Sequence, residues 1–237
     1  MVKIEDMSLV ILCGGKGTRM GNINKLIPKP LIKLGEMPIL WHIMKYYSIF
    51  GVKRFILCTG YLKEQIEDFI KSIGYWDVVC VDTGEETNTG GRIKRVENYI
   101  NSDLFMATYG DGLSDIDLNK LLEHHRNSNV IATLTAVQPI NQFGIIEFNG
   151  RSIVTKFIEK PKADFWINGG FFVFNKEIFN FIEDNDILEK DVFNKLVVNG
   201  ELSAFLHNGF WQCMDTYKDN IFLNEICNSG EAKWKIW

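Results

Sequence analysis

The apolar run Ser8-Leu9-Val10-Ile11-Leu12-Cys13 ends directly in Gly14-Gly15-Lys16-Gly17-Thr18-Arg19. A short apolar run stopped by glycines reads as a strand buried on both faces. Burial on both faces implies a parallel sheet covered by helices. The loop also carries chemistry. Glycines placed just after a strand let backbone N–H groups approach phosphate oxygens closely, and Arg19 adds a planar fork suited to a polyphosphate. Two common glycine motifs fail here. A dinucleotide fingerprint counted from Gly15 would need glycine where Met20 stands, which disfavours a dinucleotide oxidoreductase, and Gly15-Lys16 is followed by Gly17 rather than by Ser or Thr.

The rest of the first half continues the alternation. The pattern predicts helices over Pro38–Phe50, Leu62–Ile73 and Gly91–Ile100, and strands over Arg54–Thr59, Val78–Val81 and Leu104–Tyr109. The second half is mixed. Helices are expected over Asp117–Ser128, Lys176–Glu183, Leu188–Val198 and Tyr217–Asn228, and strands over Val130–Val137, Asn168–Phe174 and Leu202–His207. A hairpin is expected over Gly144–Phe148 and Ser152–Ile158, turning on the two residues Asn149-Gly150. The expected fold class is α/β, with a mixed, mostly parallel central sheet flanked by helices. The 237 residues read as one domain, with residues 1–137 holding a nucleotide and residues 138–237 its acceptor.

Composition narrows the partners. A net charge of -4 lacks the basic footprint of a nucleic-acid binder. No run approaches the ~20 apolar residues of a membrane helix, and no leader segment is visible, so a soluble cytoplasmic protein is expected. Five scattered cysteines without a C-x-x-C pair read as reduced, mostly buried thiols.

Further side chains join the glycine loop. Pro28-Lys29-Pro30 should hold the backbone extended and aim the lysine at phosphate. Asp111 follows an apolar strand, and the carboxyl ends of strands in open α/β sheets are where ligands collect. Asp215 precedes a helix, where it is either a cap or a ligand. As a pair the aspartates suit Mg²⁺, which takes a few carboxylates plus phosphate oxygens. Glu159-Lys160-Pro161 and Asn168-Gly169-Gly170 are weaker signals; a solvated basic turn is the default for such lysines, while Asn168 can both donate and accept to hydroxyls.

The order Gly-Gly-x-Gly-Thr-Arg, Pro-Lys-Pro, Gly-Asp, Glu-Lys-Pro and Asp-Thr resembles the sugar-phosphate nucleotidyltransferases. Val81-Asp82-Thr83-Gly84, Thr89-Gly90-Gly91-Arg92, Thr108-Tyr109-Gly110-Asp111-Gly112, Asn168-Gly169-Gly170-Phe171-Phe172 and Gly209-Phe210-Trp211-Gln212 resemble the glucose-1-phosphate cytidylyltransferase branch. The resemblance implies a Rossmann-like nucleotidyltransferase fold, CTP and a sugar phosphate as substrates, Mg²⁺ as cofactor and a homo-oligomer. It implies that Gly14, Gly15, Gly17, Thr18 and Arg19 hold the triphosphate, with Gly110 beside them, while Thr83, Gly84, Thr89 and Gly90 frame the cytosine. Arg19, Lys29 and Lys160 would act on the reacting phosphates, Asp111 and Asp215 on the metal, and Glu159, Lys160, Asn168 and Gly169 on the acceptor. A sugar phosphate is largely dianionic at neutral pH, so it can attack the α-phosphorus without a general base, and the absence of a catalytic histidine or serine is expected. Gln142 and Phe165-Trp166 depart from the branch in the acceptor half. The acceptor therefore stays open between glucose 1-phosphate and another phosphate, such as fructose 6-phosphate or a polyol phosphate destined for a surface polysaccharide. A non-catalytic regulatory subunit would be expected to have lost one of Lys29, Asp111, Lys160 or Asp215, and all four are present.

Overall fold

A computed structural model describes residues 2–18, 20, 26–141 and 143–237. Arg19, Gln142 and the stretch 21–25 lie outside the described residues. In chain order the elements are β1 (Ser8–Leu12), β2 (Lys33–Leu34), β3 (Met37–Pro38), α1 (Ile39–Ile49), β4 (Arg54–Thr59), α2 (Lys63–Ile73), β5 (Asp77–Asp82), α3 (Thr89–Arg95), β6 (Leu104–Tyr109), β7 (Gly112–Ser114) and α4 (Leu118–Ser128). They continue with β8 (Ala132–Val137), β9 (Ile145–Phe148), β10 (Val154–Ile158), β11 (Ile167–Asn175), α5 (Phe193–Val198), β12 (Leu202–His207), β13 (Trp211–Cys213) and α6 (Tyr217–Ser229).

Seven strands form the central sheet in the order β12-β8-β11-β6-β1-β4-β5. Every neighbour pair is parallel except those made by β11, which runs against both β6 and β8. Side chains alternate across the sheet, as the period of a strand requires. Leu9, Ile11, Phe55, Leu57, Met106, Phe171 and Val173 face one core, which includes residues of α1, α2, α4 and α6. Val10, Leu12, Ile56, Cys58, Phe105, Phe172 and Phe174 face a second core with Ile93 of α3 and Phe193 of α5. All five cysteines are free, and three of them are buried. No helix among the described residues is long and apolar enough to cross a membrane.

Three local expectations are corrected. The hairpin does not turn on Asn149-Gly150 alone, because Phe148 pairs with Val154 and five residues connect β9 to β10. The Asn149 side chain accepts hydrogen bonds from the backbone N–H groups of Arg151 and Ile153, so it caps a wider loop in which Ser152 takes the left-handed conformation. Pro28-Lys29-Pro30 is not extended throughout. Pro28 is, but Lys29–Leu31 form a single 3₁₀ turn, where Pro30 needs no N–H. The 188–198 helix begins as a π-turn over Leu188–Val192 before α5, and 176–181 is a 3₁₀ helix.

Candidate active site

Because β1, β4, β5 and β6 are parallel, the loops after them emerge along one edge. An open cleft of about 510 Å³ lies there. It is walled by the glycine loop, Lys29, Thr87–Thr89, Tyr109–Asp111 and Glu189. Reversal of β11 brings its opening residues, Asn168 and Gly169, to the same edge.

Lys29 is the centre of the charge arrangement. Its Nζ lies 2.5 Å from Asp111 Oδ2 and 2.6 Å from Asp215 Oδ1. The two aspartates are 104 residues apart in sequence, and strand pairing unites them. Cys213 of β13 sits opposite Gly112 of β7, and Met214 N–H donates to the Asp111 carbonyl at 2.9 Å. The helix-cap reading of Asp215 gives way. Thr216 is the cap of α6, in a capping box with Asp219, and the Asp215 carboxylate pairs with Lys29 instead. Burial works against the Lys29 charge, yet the two carboxylates outweigh it and hold the ammonium above the ordinary lysine range. Among the described residues no three His, Cys, Asp or Glu side chains converge as a metal cage. Two carboxylates meeting on one cation do suit Mg²⁺, which is commonly held by one or two carboxylates plus phosphate oxygens.

The glycine-loop side of the cleft is braced by a residue to which sequence reasoning assigned no role. Arg92 is buried. Its guanidinium donates to the carbonyls of Gly14, Thr59 and Glu85 and to the Thr83 hydroxyl, at 2.7–3.2 Å. One side chain thus ties together the loops that follow β1, β4 and β5. The guanidinium fills the space a side chain at Gly14 would need, so that glycine is required by packing as well as by backbone approach. Arg95 adds a bond to the Thr83 carbonyl at 2.6 Å. Arg92 stands inside the Thr89-Gly90-Gly91-Arg92 stretch, but an arginine's burial is not readable from a motif.

Gly14, Gly15, Gly17, Thr89 and Gly110 line the cleft. Gly110 N–H donates to the Leu12 carbonyl, which joins the ends of β1 and β6. Thr83, Gly84 and Gly90 lie behind the wall. Thr83 is buried and donates to the Thr59 carbonyl at 2.7 Å. Gly84 turns with φ +83°, and Gly90 leaves no room for a side chain against the Asp186 backbone. Thr18 is exposed and outside the wall. Lys16 ion-pairs with Glu86 from the facing loop. Neither residue was singled out from the sequence, where a lone lysine among glycines carries no distinguishing signal.

Of the residues expected at the acceptor, Asn168 Nδ2 donates to the Tyr109 hydroxyl at 3.1 Å, and that hydroxyl donates to Glu189. Burial first, then the Glu189 charge, push the Tyr109 phenol far upward, so it remains a donor. Thr89 also donates to Glu189, which makes this glutamate a joint between the two halves. It lies in the π-turn and belongs to no motif in the sequence. Gly169 accepts from the Trp211 indole N–H at 2.8 Å. Glu159 and Lys160 are exposed and adjacent, 3.7 Å apart, and do not reach the cluster around Lys29. Lys160, with φ +45°, instead lines a second cavity of about 720 Å³ with Lys162, His207, Trp211 and Lys233.

The model of the family described as nucleotidyl transferase matches residues 8–224. A glucose-1-phosphate cytidylyltransferase of Salmonella typhimurium is 41% identical over 258 aligned positions, covering 98% of this chain and all of the relative. The aligned length exceeds the 237 residues here, so the relative carries residues this chain lacks. A probable glucose-1-phosphate cytidylyltransferase of Bacillus subtilis is 38% identical, covering 98% of this chain and all of that relative. Among solved structures, HddC from Yersinia pseudotuberculosis complexed with GMP-PN superposes with a TM-score of 0.73 at 25% identity, over 92% of this chain and 98% of that one.

Proposed function

The chain belongs to the nucleotidyl transferase family, and from that premise we propose that it is a CTP-dependent cytidylyltransferase that joins CMP to glucose 1-phosphate. The observation that carries the reading is the convergence of Asp111 and Asp215 on Lys29, with Lys29 and Asp111 lining a glycine-walled cleft. The same convergence argues against a non-catalytic subunit.

In this reading the backbone of Gly14, Gly15 and Gly17 receives the triphosphate, with Lys16 at the mouth and Lys29 at the floor. An acceptor phosphate oxygen forms the new bond to the α-phosphorus, the bond to the β-phosphate breaks, and pyrophosphate leaves with that electron pair. The chain's task is to gather mutually repelling anions and hold them in line. Asp111 and Asp215 would hold Mg²⁺, which when bound would neutralise charge on the transferring phosphoryl group. Asn168, oriented through Tyr109, is suited to the sugar hydroxyls. Glu159 and Lys160 serve the acceptor only if their turn moves or meets the sugar from outside the cleft.

The pinned loop from Thr83 to Thr89 supports CTP. Cytosine presents a donor amine where uracil presents an acceptor, and a backbone held by Arg92 and Arg95 can tell them apart. Two relatives bearing the glucose-1-phosphate cytidylyltransferase name over their full length support glucose 1-phosphate. The chain assayed with CTP, Mg²⁺ and glucose 1-phosphate should release pyrophosphate. CTP should lead UTP, dTTP, ATP and GTP by at least about tenfold in kcat/KM, or ~1.4 kcal/mol. Equal rates with UTP or dTTP would overturn the reading of the loop, and preference for fructose 6-phosphate or a polyol phosphate that of the acceptor.

Self-association belongs to the same proposal. The β9–β10 hairpin exposes Ile146, Phe148, Val154 and Phe157, and two strands alone are marginally stable in water. Sedimentation of the chain and of Phe148→Asp tests this; an oligomer lost in the variant supports it.

A further inference from the structure

We infer that Glu189 is a positioning residue for the acceptor: through the Tyr109 hydroxyl it dictates which way round the Asn168 amide stands, and so which hydroxyls on the acceptor ring are preferred. The inference rests on the reading of Asn168 as the residue that meets the sugar.

The bonds run in one direction. An ionised carboxylate accepts hydrogen bonds and donates none, and a phenol has a single proton to give. Tyr109 gives it to Glu189 Oε1. The phenol oxygen is then left to accept, and what it accepts is Asn168 Nδ2 at 3.1 Å. The Asn168 carbonyl oxygen is thereby turned the other way, onto the Gly170 N–H at 2.9 Å. An asparagine amide carries two N–H donors and two acceptor lone pairs. One of each is spent here, one of each remains, and their order is set. Two neighbouring hydroxyls on a sugar ring, one accepting and one donating, match such a pair. A flipped amide has nearly the same shape and the opposite polarity, so the selection depends on what sets the direction.

Each link is held in place by other contacts. Glu189 Oε2 accepts from the Thr89 hydroxyl at 2.7 Å, and that hydroxyl accepts from the Leu188 N–H at 2.9 Å. Both Leu188 and Glu189 belong to the π-turn, so Thr89 clamps the turn that carries the carboxylate. The Tyr109 ring meets Phe172 edge to face, with centroids 5.5 Å apart. It also fills the space that a side chain at Gly170 would need. The ring has no room to swing, burial keeps its hydroxyl protonated, and only the direction of the proton is left to choose. Glu189 makes that choice. Its place also accounts for an acidic side chain lining a cleft read as a collector of phosphates. Both its oxygens are engaged by hydroxyl donors.

The measurement is selectivity: kcat/KM for glucose 1-phosphate divided by that for its 2-deoxy and 3-deoxy analogues, at one concentration of CTP. The unaltered chain should favour the full sugar over at least one analogue by about tenfold or more, and Asn168→Ala should lose most of that preference. Glu189→Gln fits the same space but donates as well as accepts, so it no longer dictates a direction. It should lower the ratio by about fivefold or more, with a melting temperature close to that of the unaltered chain. A glutamate that merely braced the fold would leave the ratio where it was. Tyr109→Phe should lower the ratio as much, and Glu189→Gln added to Tyr109→Phe should lower it no further. A ratio unchanged in Glu189→Gln overturns the inference, and so does a further fall in the double variant. Two arms need no change at Glu189. If Asn168→Ala keeps the preference, or if the unaltered chain releases pyrophosphate from CTP with no preference among the three sugars, the inference falls and the cytidylyltransferase reading stands. If no sugar phosphate releases pyrophosphate from CTP, both fall.

Discussion

Asp111 and Asp215 make a test at the level of single atoms. In the proposed reading, replacing either carboxylate by an amide removes one charge facing the reacting phosphates, yet leaves Lys29 one ion-pair partner. Asp111→Asn and Asp215→Asn are therefore expected to fold as the unaltered chain does and to lose about 10²-fold or more in kcat. Pyrophosphate release beside a thermal melt checks both halves of that statement. Arg92 tests positioning rather than chemistry. Arg92→Lys keeps the charge, but a single ammonium cannot reproduce a fork that meets four acceptors in three loops. The expected outcome is a larger loss in discrimination between CTP and UTP than in kcat with CTP. The ratio of kcat/KM values for the two nucleotides measures it. A merely structural arginine would lower both rates alike.

At the level of elements, α1 and the C-terminal tail are joined by a buried histidine. His42 Nε2 contacts the Leu34 carbonyl at 2.9 Å, so it carries the proton there, and Nδ1 accepts from the Trp234 indole at 3.3 Å. That tautomer exists only while the ring is neutral. Burial lowers the His42 pKa, and it lowers that of His125, on the buried face of α4, as well. For a group depressed in the folded state, the unfolded chain binds the extra proton. The stability these rings contribute is whole above the unfolded value of about 6.5 and is lost as pH falls below it. The melting temperature should be flat from pH 8 to 7 and should decline toward pH 5. In His42→Gln the melt should begin lower and decline less steeply. An equal slope in the variant would assign the pH dependence to other groups.

Over the whole molecule, the second half of the chain does not stand apart. Its strand β11 is inserted between β6 and β8 and pairs with both, and Phe172 and Phe174 of β11 pack in one core with Val10 and Ile56. A nucleotide half ending at residue 137 would keep β6 with one edge stripped and would expose that core. Unfolding of the full chain is expected to be a single transition, coincident by circular dichroism and tryptophan fluorescence, and residues 1–137 expressed alone are expected not to fold. Two separate transitions, or a folded fragment, would make the halves independent units.

Strand positions were legible in the residues because strand period and glycine stops are local properties. β4, β6 and β12 have the bounds expected of them, and β1 ends one residue short at Leu12. The glycine loop at the end of β1 and the meeting of Asp111 with Asp215 were legible too, since glycines after a strand and a carboxylate just beyond one mark one edge of an α/β sheet. What each side chain faces was decided by the tertiary structure. Asp215 pairs with Lys29 because Thr216 takes the cap, and that choice depends on β13 pairing with β7 from about 100 residues away. Lys29 lies on the aspartates rather than free in an extended loop because a 3₁₀ turn places it there. Arg92 and Glu189 gain their roles from loops that meet only once the sheet has ordered its strands. Such contacts join residues remote in the chain, and no local pattern encodes their distance.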